Sequence, residues 1–147
     1  MAITYPVKLS VTLRPMHHNR ALLVEMGTNQ NLTIISLNDT TTTNWEFETD
    51  TDCSLTVEFL NKQDQEAVVV EAVSFFGIED PKFAWAGIFE PEYPEPWATQ
   101  QRSQGVVLNP QLSPHTYLGW SGKWTLTFSV PVFTWIHRTQ GLGWVYT

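Results

Sequence analysis

The sequence predicts an all-β fold: an antiparallel jelly-roll β-sandwich carrying a long proline- and aromatic-rich loop or arm. Three observations predict it. Apolar and polar residues alternate strictly in several short segments. No segment spaces its apolar residues by three and four over more than two turns. Seven of the nine prolines fall between Pro81 and Pro131. A period of two is the mark of a half-buried strand, whereas an amphipathic helix needs a period near 3.6.

Residues 7–14 set Val7, Leu9, Val11 and Leu13 on one face against Lys8, Ser10, Thr12 and Arg14 on the other. Pro15 and Asn19 punctuate the end of this strand. Ala21–Met26 reads as a second strand stopped by Gly27, and Leu32–Leu37 as a third. Asn38 to Thr43 is a polar, threonine-rich turn. Trp45 and Phe47 alternate with Glu46 and Glu48; Leu55, Val57 and Phe59 alternate with Thr56 and Glu58. Asp50 and Asp52 mark a tight turn between these two strands, so the pair reads as a hairpin. Val68–Phe76 is almost continuously apolar, as expected of a strand covered on both faces. From Gly77 to Pro114 alternation disappears. The run Glu90-Pro-Glu-Tyr-Pro-Glu-Pro-Trp97 cannot be a central strand, because proline removes ladder donors. It is expected as a long, ordered, aromatic loop or edge arm whose removal leaves the sandwich folded. Trp124, Leu126, Phe128 and Val130 then face inward from a late strand. A single helical turn is expected near Phe133–Arg138, and a last strand at Trp144–Tyr146 after Gly141 and Gly143.

The chain of 147 residues reads as one domain. Residues 1–78 form one half, 79–114 the arm, and 115–147 the completing strands. Hydrophobic content is 42% and charged content 16%, the opposite of a disordered balance. The net charge of −7 disfavours phosphate backbones, so nucleic acid is not an expected partner. Cys53 is the single cysteine, which excludes an intramolecular disulfide and disfavours a thiolate zinc site. Acids beside it are expected to raise its pKa. No apolar run approaches the ~18 residues of a membrane span. The N-terminal residues lack a basic region followed by an apolar one, so synthesis in a cytosol without a signal peptide is expected. On that expectation the sequons Asn31-Leu-Thr33 and Asn38-Asp-Thr40 are incidental.

Charge is unevenly placed. All but one of the fifteen carboxylates lie between Asp39 and Glu95, a stretch with only Lys62 and Lys82 as bases. The last 52 residues hold five of the seven tryptophans and no acid. Acid this dense and this poorly paired has to be solvated, neutralised by a partner, or bound to a cation.

Leu55-Thr-Val-Glu-Phe-Leu-Asn61-Lys-Gln-Asp64-Gln-Glu66, followed by Val68-Val-Val-Glu71-Ala-Val-Ser-Phe-Phe-Gly-Ile78, resembles the calcium-dependent xylan-binding modules of the small β-sandwich type. The resemblance spans residues 7–78. The family's Asp-Gly turns are missing, and Ala72 stands where an aromatic is usual. The resemblance implies a calcium ion held by loop oxygens, with sugar hydroxyls completing its shell. Asn61, Asp64, Glu66 and Glu71 would supply the oxygens, and calcium accepts six to eight of them in irregular geometry. The alternative is a solvated hairpin tip, where Asn, Asp, Gln and Glu are ordinary residents.

Trp85, Tyr93 and Trp97, with Phe89, lie on the proline-rich arm. Flat rings of this kind match the C–H face of a pyranose, so Trp85, Tyr93 and Trp97 are candidate sugar-binding residues. The reading preferred for most of them is that they pin the arm to the sandwich or to a neighbouring subunit. Trp45, Trp124 and Trp144 are in inward register and are expected in the core. His17-His18 point apart on a strand and make a poor chelate. No catalytic signature is present. A glycosidase needs two facing carboxylates roughly 5–10 Å apart, and Glu46, Glu48 and Glu58 read instead as the outer face of a hairpin.

The sequence thus predicts a non-catalytic carbohydrate-binding module, calcium-dependent by resemblance and displayed on a phage-type virion. Its partner would be a polysaccharide or host-surface glycan, with self-association or contact to virion neighbours. The competing expectation is a structural assembly protein whose arm docks a neighbouring subunit and which binds neither sugar nor metal.

Overall fold

Wherever the sequence alternates, a strand forms. The computed structural model describes residues 3–16, 20–28, 31–60, 62, 65–112 and 116–139. Within them are ten strands: β1 (Tyr5–Met16), β2 (Leu22–Thr28), β3 (Asn31–Leu37), β4 (Thr41–Thr49), β5 (Cys53–Phe59), β6 (Ala67–Phe75), β7 (Ile78–Glu79), β8 (Ile88–Pro91), β9 (Tyr117–Leu118) and β10 (Gly122–Phe128). Three helices accompany them: α1 (Pro81–Trp85), α2 (Trp97–Ser103) and α3 (Val132–Thr139). The expected strand Trp144–Tyr146, Trp144 itself, His17-His18 and His115 lie outside the described residues.

The strands form two five-stranded antiparallel sheets. The first runs β4-β1-β6-β7, with β9 added to β6; the second runs β3-β2-β5-β10-β8. Val7, Leu9, Val11 and Leu13 of β1 face Leu55, Val57 and Phe59 of β5 and Trp124, Leu126 and Phe128 of β10 across one core, all nearly or fully buried. Phe75 anchors one end, edge-on to Phe83 at 5.2 Å, Phe128 at 5.0 Å and Trp135 at 5.5 Å. Each such ring contributes about 1.5–3 kcal/mol by leaving water, plus its edge-to-face contacts.

Several sequence expectations change. β4 and β5 are not a hairpin: β4 pairs with β1 in the first sheet, while β5 pairs with β2 and β10 in the second. The turn at 50–52 crosses the sandwich. Two alternating strands joined by a tight turn each need one apolar face buried. Opposite sheets satisfy that need as well as one sheet does. Glu46 and Glu48 are therefore on a different sheet from Glu58. The threonine-rich stretch begins β4 rather than remaining a turn, as β-branched residues favour; Thr42 and Thr12 join their hydroxyls at 2.7 Å. Gly27 does not stop β2, which runs on to Thr28.

β6 is covered on one face only. Val68, Val70, Val73 and Phe75 are buried, while Val69, Ala72 and Ser74 are half-exposed. The register with β1 shifts between Thr12 and Leu13, which pair with Ala72 and Val70. Glu71 is the extra residue of this bulge and is turned out to solvent.

The arm is structural. Phe89 is fully buried, and β8 forms the edge of the second sheet beside β10. Pro91 is tolerated there because an edge strand has one unpaired side. Phe89 and Leu112 exchange both backbone hydrogen bonds, at 3.0 and 2.8 Å, so the following loop covers that edge. The buried ring of this stretch, Phe89, lies just before Glu90–Trp97, whose own residues are half-buried or exposed. Two short helices escaped the sequence analysis. Asp80-Pro81 starts α1, with the Asp80 side chain accepting from the Lys82 amide at 2.9 Å, a legible N-cap followed by proline. For α2 the Glu95 carboxylate accepts the Thr99 N–H at 3.1 Å and its hydroxyl as well. α3 extends the expected single turn, burying Val132, Trp135 and Ile136.

Two glycines let the arm dock. A Cβ on Gly87 would lie 2.0 Å from the Trp124 ring. Gly122 has φ +149°, and a Cβ there would meet the Glu90 carbonyl oxygen at 2.4 Å. Gly122→Ala and Gly87→Ala are expected to lower stability by about 1–3 kcal/mol each, the usual cost of forced overpacking. Thermal melts check the magnitude. Hydrogen exchange at the Phe89 and Leu112 amides should accelerate first, because β8 is the element displaced.

Candidate functional site

Of the expected oxygen donors, Glu66 and Glu71 are described, and each is held by an arginine. Both Glu66 oxygens are held by Arg20, with Nε at 2.9 Å and Nη2 at 2.7 Å, and the Glu66 side chain is 6% exposed. Glu71 accepts Arg14 Nε at 2.7 Å on the exposed face of the first sheet. Two of the acids that looked unbalanced in the linear sequence are thus paired with arginines preceding them by 46 and 57 residues. Only a fold can make such a pairing visible. Asn61 and Asp64 lie outside the described residues. Among the described residues no three His, Cys, Asp or Glu side chains form a group suited to a metal. The Arg20 fork engages both Glu66 oxygens and Arg14 engages one oxygen of Glu71, so an ion at either carboxylate would have to displace an arginine or share the carboxylate with it.

The three arm aromatics separate into two places. Trp85, 56% exposed at the end of α1, lines a hollow with Glu71, Glu79 and Asp80. Tyr93 and Trp97 meet each other at 6.2 Å and both meet Trp120, at 5.6 Å and 4.8 Å. Lys62 sets its ammonium 5.2 Å over the Trp120 ring, a cation–π placement. Tyr93 donates its hydroxyl to the Asn109 carbonyl at 2.7 Å, which fixes the ring. Trp120 was missed because its Gly-Trp-Ser-Gly setting reads only as a turn.

Tyr93 is also one wall of a groove of about 520 Å³ on the outer face of the second sheet. The groove is built by register. Lys123 of β10 stands between Glu58 of β5 and Glu90 of β8, and Glu25 of β2 continues the row beyond Glu58. Glu92 and Arg102 join from the arm and α2, and Leu108 and Pro110 close the far side. Its volume lies within the usual range for small-ligand sites. Carboxylates accept hydrogen bonds, and Lys123 and Arg102 donate them, so a polyhydroxylated ligand meets both partners beside a fixed ring. Of the groove's charged residues the sequence drew attention only to Glu58, as an outward strand residue; nothing in it links Glu58 to Lys123, Glu90, Glu92 or Arg102.

Cys53 is buried, and burial pushes its thiol upward. A hydrogen bond with Thr49 opposes that shift, and the charge of Asp52 adds to it. The expected rise holds, with burial as its main cause and not the neighbouring acid. His137 is exposed on α3. No helix of the described residues is long and apolar enough to cross a membrane.

No protein-family model matches the sequence, and no curated protein matches it. Two solved structures share the fold. One is vCBM60 in complex with galactobiose, with a TM-score of 0.52 and 12% identity, covering 81% of this chain and 96% of that one. The other is the selenomethionine form of vCBM60, from two families of calcium-dependent carbohydrate binding modules linked by circular permutation. Its TM-score is 0.53 and its identity 12%, and it covers 82% of this chain and 89% of that one. This chain is a β-sandwich resembling carbohydrate-binding modules in fold, and the likeness runs well past the residue 7–78 stretch in which the sequence shows it.

The two arginines should differ in effect. Arg20→Ala strands a buried carboxylate and is expected to cost about 3–5 kcal/mol. Arg14→Ala, on an exposed pair, is expected to cost less than about 1 kcal/mol. Urea unfolding of both variants checks the contrast.

Proposed function

We propose that this chain is a non-catalytic carbohydrate-binding domain whose ligand lies in the groove between Tyr93 and Lys123. The observation carrying the proposal is that Tyr93 belongs at once to the ring cluster with Trp97 and Trp120 and to the polar groove. A saccharide has the same two characters, an apolar C–H face and a rim of hydroxyls. Trp97 and Trp120 brace Tyr93; Glu58, Glu90, Lys123 and Arg102 address hydroxyls. The shared fold with vCBM60, solved with galactobiose, supports the reading. Lys123 between Glu58 and Glu90 suits binding better than hydrolysis, because it occupies the row between the two carboxylates that would have to act on a sugar from opposite sides. The competing assembly role for the arm is weakened, since β8 and the ring cluster spend the arm on its own sandwich.

A second reading is favoured by the calcium dependence of the neighbours' families. In it, calcium binds at Asn61 and Asp64, with Glu66 released from Arg20, and the sugar completes the ion's shell. Calcium would supply a centre for vicinal hydroxyls. The groove uses no metal. Display on a phage-type particle is part of the proposal, tested by locating the chain in purified virions.

Glycan-array screening followed by calorimetry, in calcium and in chelator, separates the two readings. Tyr93→Ala and Lys123→Ala are each expected to weaken binding about tenfold, the equivalent of about 1.4 kcal/mol, with chelator having no effect. Binding abolished by chelator and indifferent to Tyr93→Ala would move the site to the Asn61–Asp64 turn. Silence on a broad array in both conditions would refute sugar recognition.

A further inference from the structure

The outer face of the first sheet carries a second, differently built hollow, of about 770 Å³. It lies on the opposite side of the sandwich from the groove. Its floor is set by register: Lys8 stands opposite Glu46, and Ser10 stands between Asn44 and Ser74. The Ser10 and Ser74 hydroxyls hydrogen-bond to each other. Phe76 closes one side.

Phe76 is the informative residue. It has φ +53° and precedes Gly77 at φ +79°, so the two form the tip of the β6–β7 hairpin with both central residues left-handed. Such a tip strongly favours Asn-Gly, and an aromatic residue there is strained. Among the described residues Phe76 is the one non-glycine with positive φ. Its amide is held by the Lys8 carbonyl at 2.8 Å, and its ring stacks on Phe133 at 4.9 Å and 28°. Strain of this kind persists where the position is needed for more than chain reversal. What the strain achieves is a half-exposed ring standing at the rim of a hydroxyl- and amide-lined floor.

We propose that this face is a second carbohydrate platform, taking a neutral oligosaccharide with Phe76 as its apolar wall. Neutrality follows from the floor, where Lys8 and Glu46 cancel, and from the chain's net charge of −7, which disfavours acidic polymers. Asn44 offers donor and acceptor together, and Ser10 and Ser74 retain hydroxyl capacity, the pattern that suits sugar hydroxyls and not a lone ion. The inference rests on the reading of the chain as a sugar-binding domain, but it assigns separate residues.

The test is a titration of the isotope-labelled full chain with galactobiose and with xylotetraose, followed by amide shifts. Saturable shifts at Lys8, Ser10, Asn44 and Ser74, besides those at Tyr93 and Trp97, are the expected result. Phe76→Asn is the decisive variant, because asparagine suits the left-handed turn better than phenylalanine does and leaves the hairpin intact. It should keep or raise the melting midpoint while weakening the first-sheet site about tenfold, as loss of an aromatic contact implies. Asn44→Ala should weaken the same site without touching Tyr93. Shifts confined to Tyr93 and Trp97 overturn this platform and leave the groove standing. Shifts confined to the first sheet support the platform and overturn the groove. No shift at either overturns both. A lowered midpoint with unchanged affinity in Phe76→Asn makes the ring a staple for α3 and overturns its role.

Discussion

The approach of the Trp124 ring to the Gly87 backbone governs the rest of the molecule. Trp124 is fully buried at the centre of β10, and the space a side chain would occupy on Gly87 is taken by its indole. That contact brings residues 87–91 down beside β10 and makes an edge strand of a segment rich in proline. Once β8 is laid there, Tyr93 and Trp97 emerge at one end of the second sheet, within reach of Trp120. The polar row on that sheet's outer face then becomes a walled groove. Core packing and the candidate site are thus consequences of one close approach, which a larger residue at position 87 would forbid.

The strands of the first half were legible in residues 7–14, 45–48 and 55–59 because burial of one face imposes a period of two, and the period survives in any topology. What the period does not carry is the choice of sheet. β4 and β5 satisfy the same alternation whether they pair or cross over, so their hairpin was a fair reading of the residues and the wrong one. The arm was legible as an ordered edge segment, but the burial of Phe89 in the core was not. Phe89 sits among prolines, and only its position opposite Trp124 makes it core. The candidate site was half legible. Tyr93 and Trp97 stood out as aromatic residues in a polar loop. Lys123, Glu58 and Glu90 did not, because their juxtaposition is a matter of cross-strand register among distant segments.

The acidic middle of the chain shows the same lesson in electrostatic form. Along the sequence, Lys62 is the one base near Glu66 and Glu71. In the fold Arg14, on β1 beside β6, reaches Glu71, and Arg20, just after β1, reaches Glu66. The two pairs are nevertheless unequal. The buried Glu66–Arg20 fork closes the entry to β6, and its loss leaves a charge in a poor solvent. The exposed Glu71–Arg14 pair answers to a bulge that had to put some side chain into water, and a charged one serves. Where a clustered acid does meet a cation, the sequence therefore does not decide whether that cation is a metal or a guanidinium.

The two candidate platforms face away from each other across the sandwich, and this limits what a ligand can do. Packed sheets lie about 10 Å apart, and their outward side chains point in opposite directions. A stiff saccharide chain lying along one face cannot also lie along the other without turning around an edge. On the second sheet that edge is closed by β8 and the backbone bridge to Leu112. Occupation of both faces therefore joins two separate chains, or two distant stretches of one flexible chain. Tethering raises the effective concentration at the second face once the first is engaged. On the proposed reading, weak single sites on opposite faces would then suffice for firm attachment to a dense glycan layer without one deep pocket.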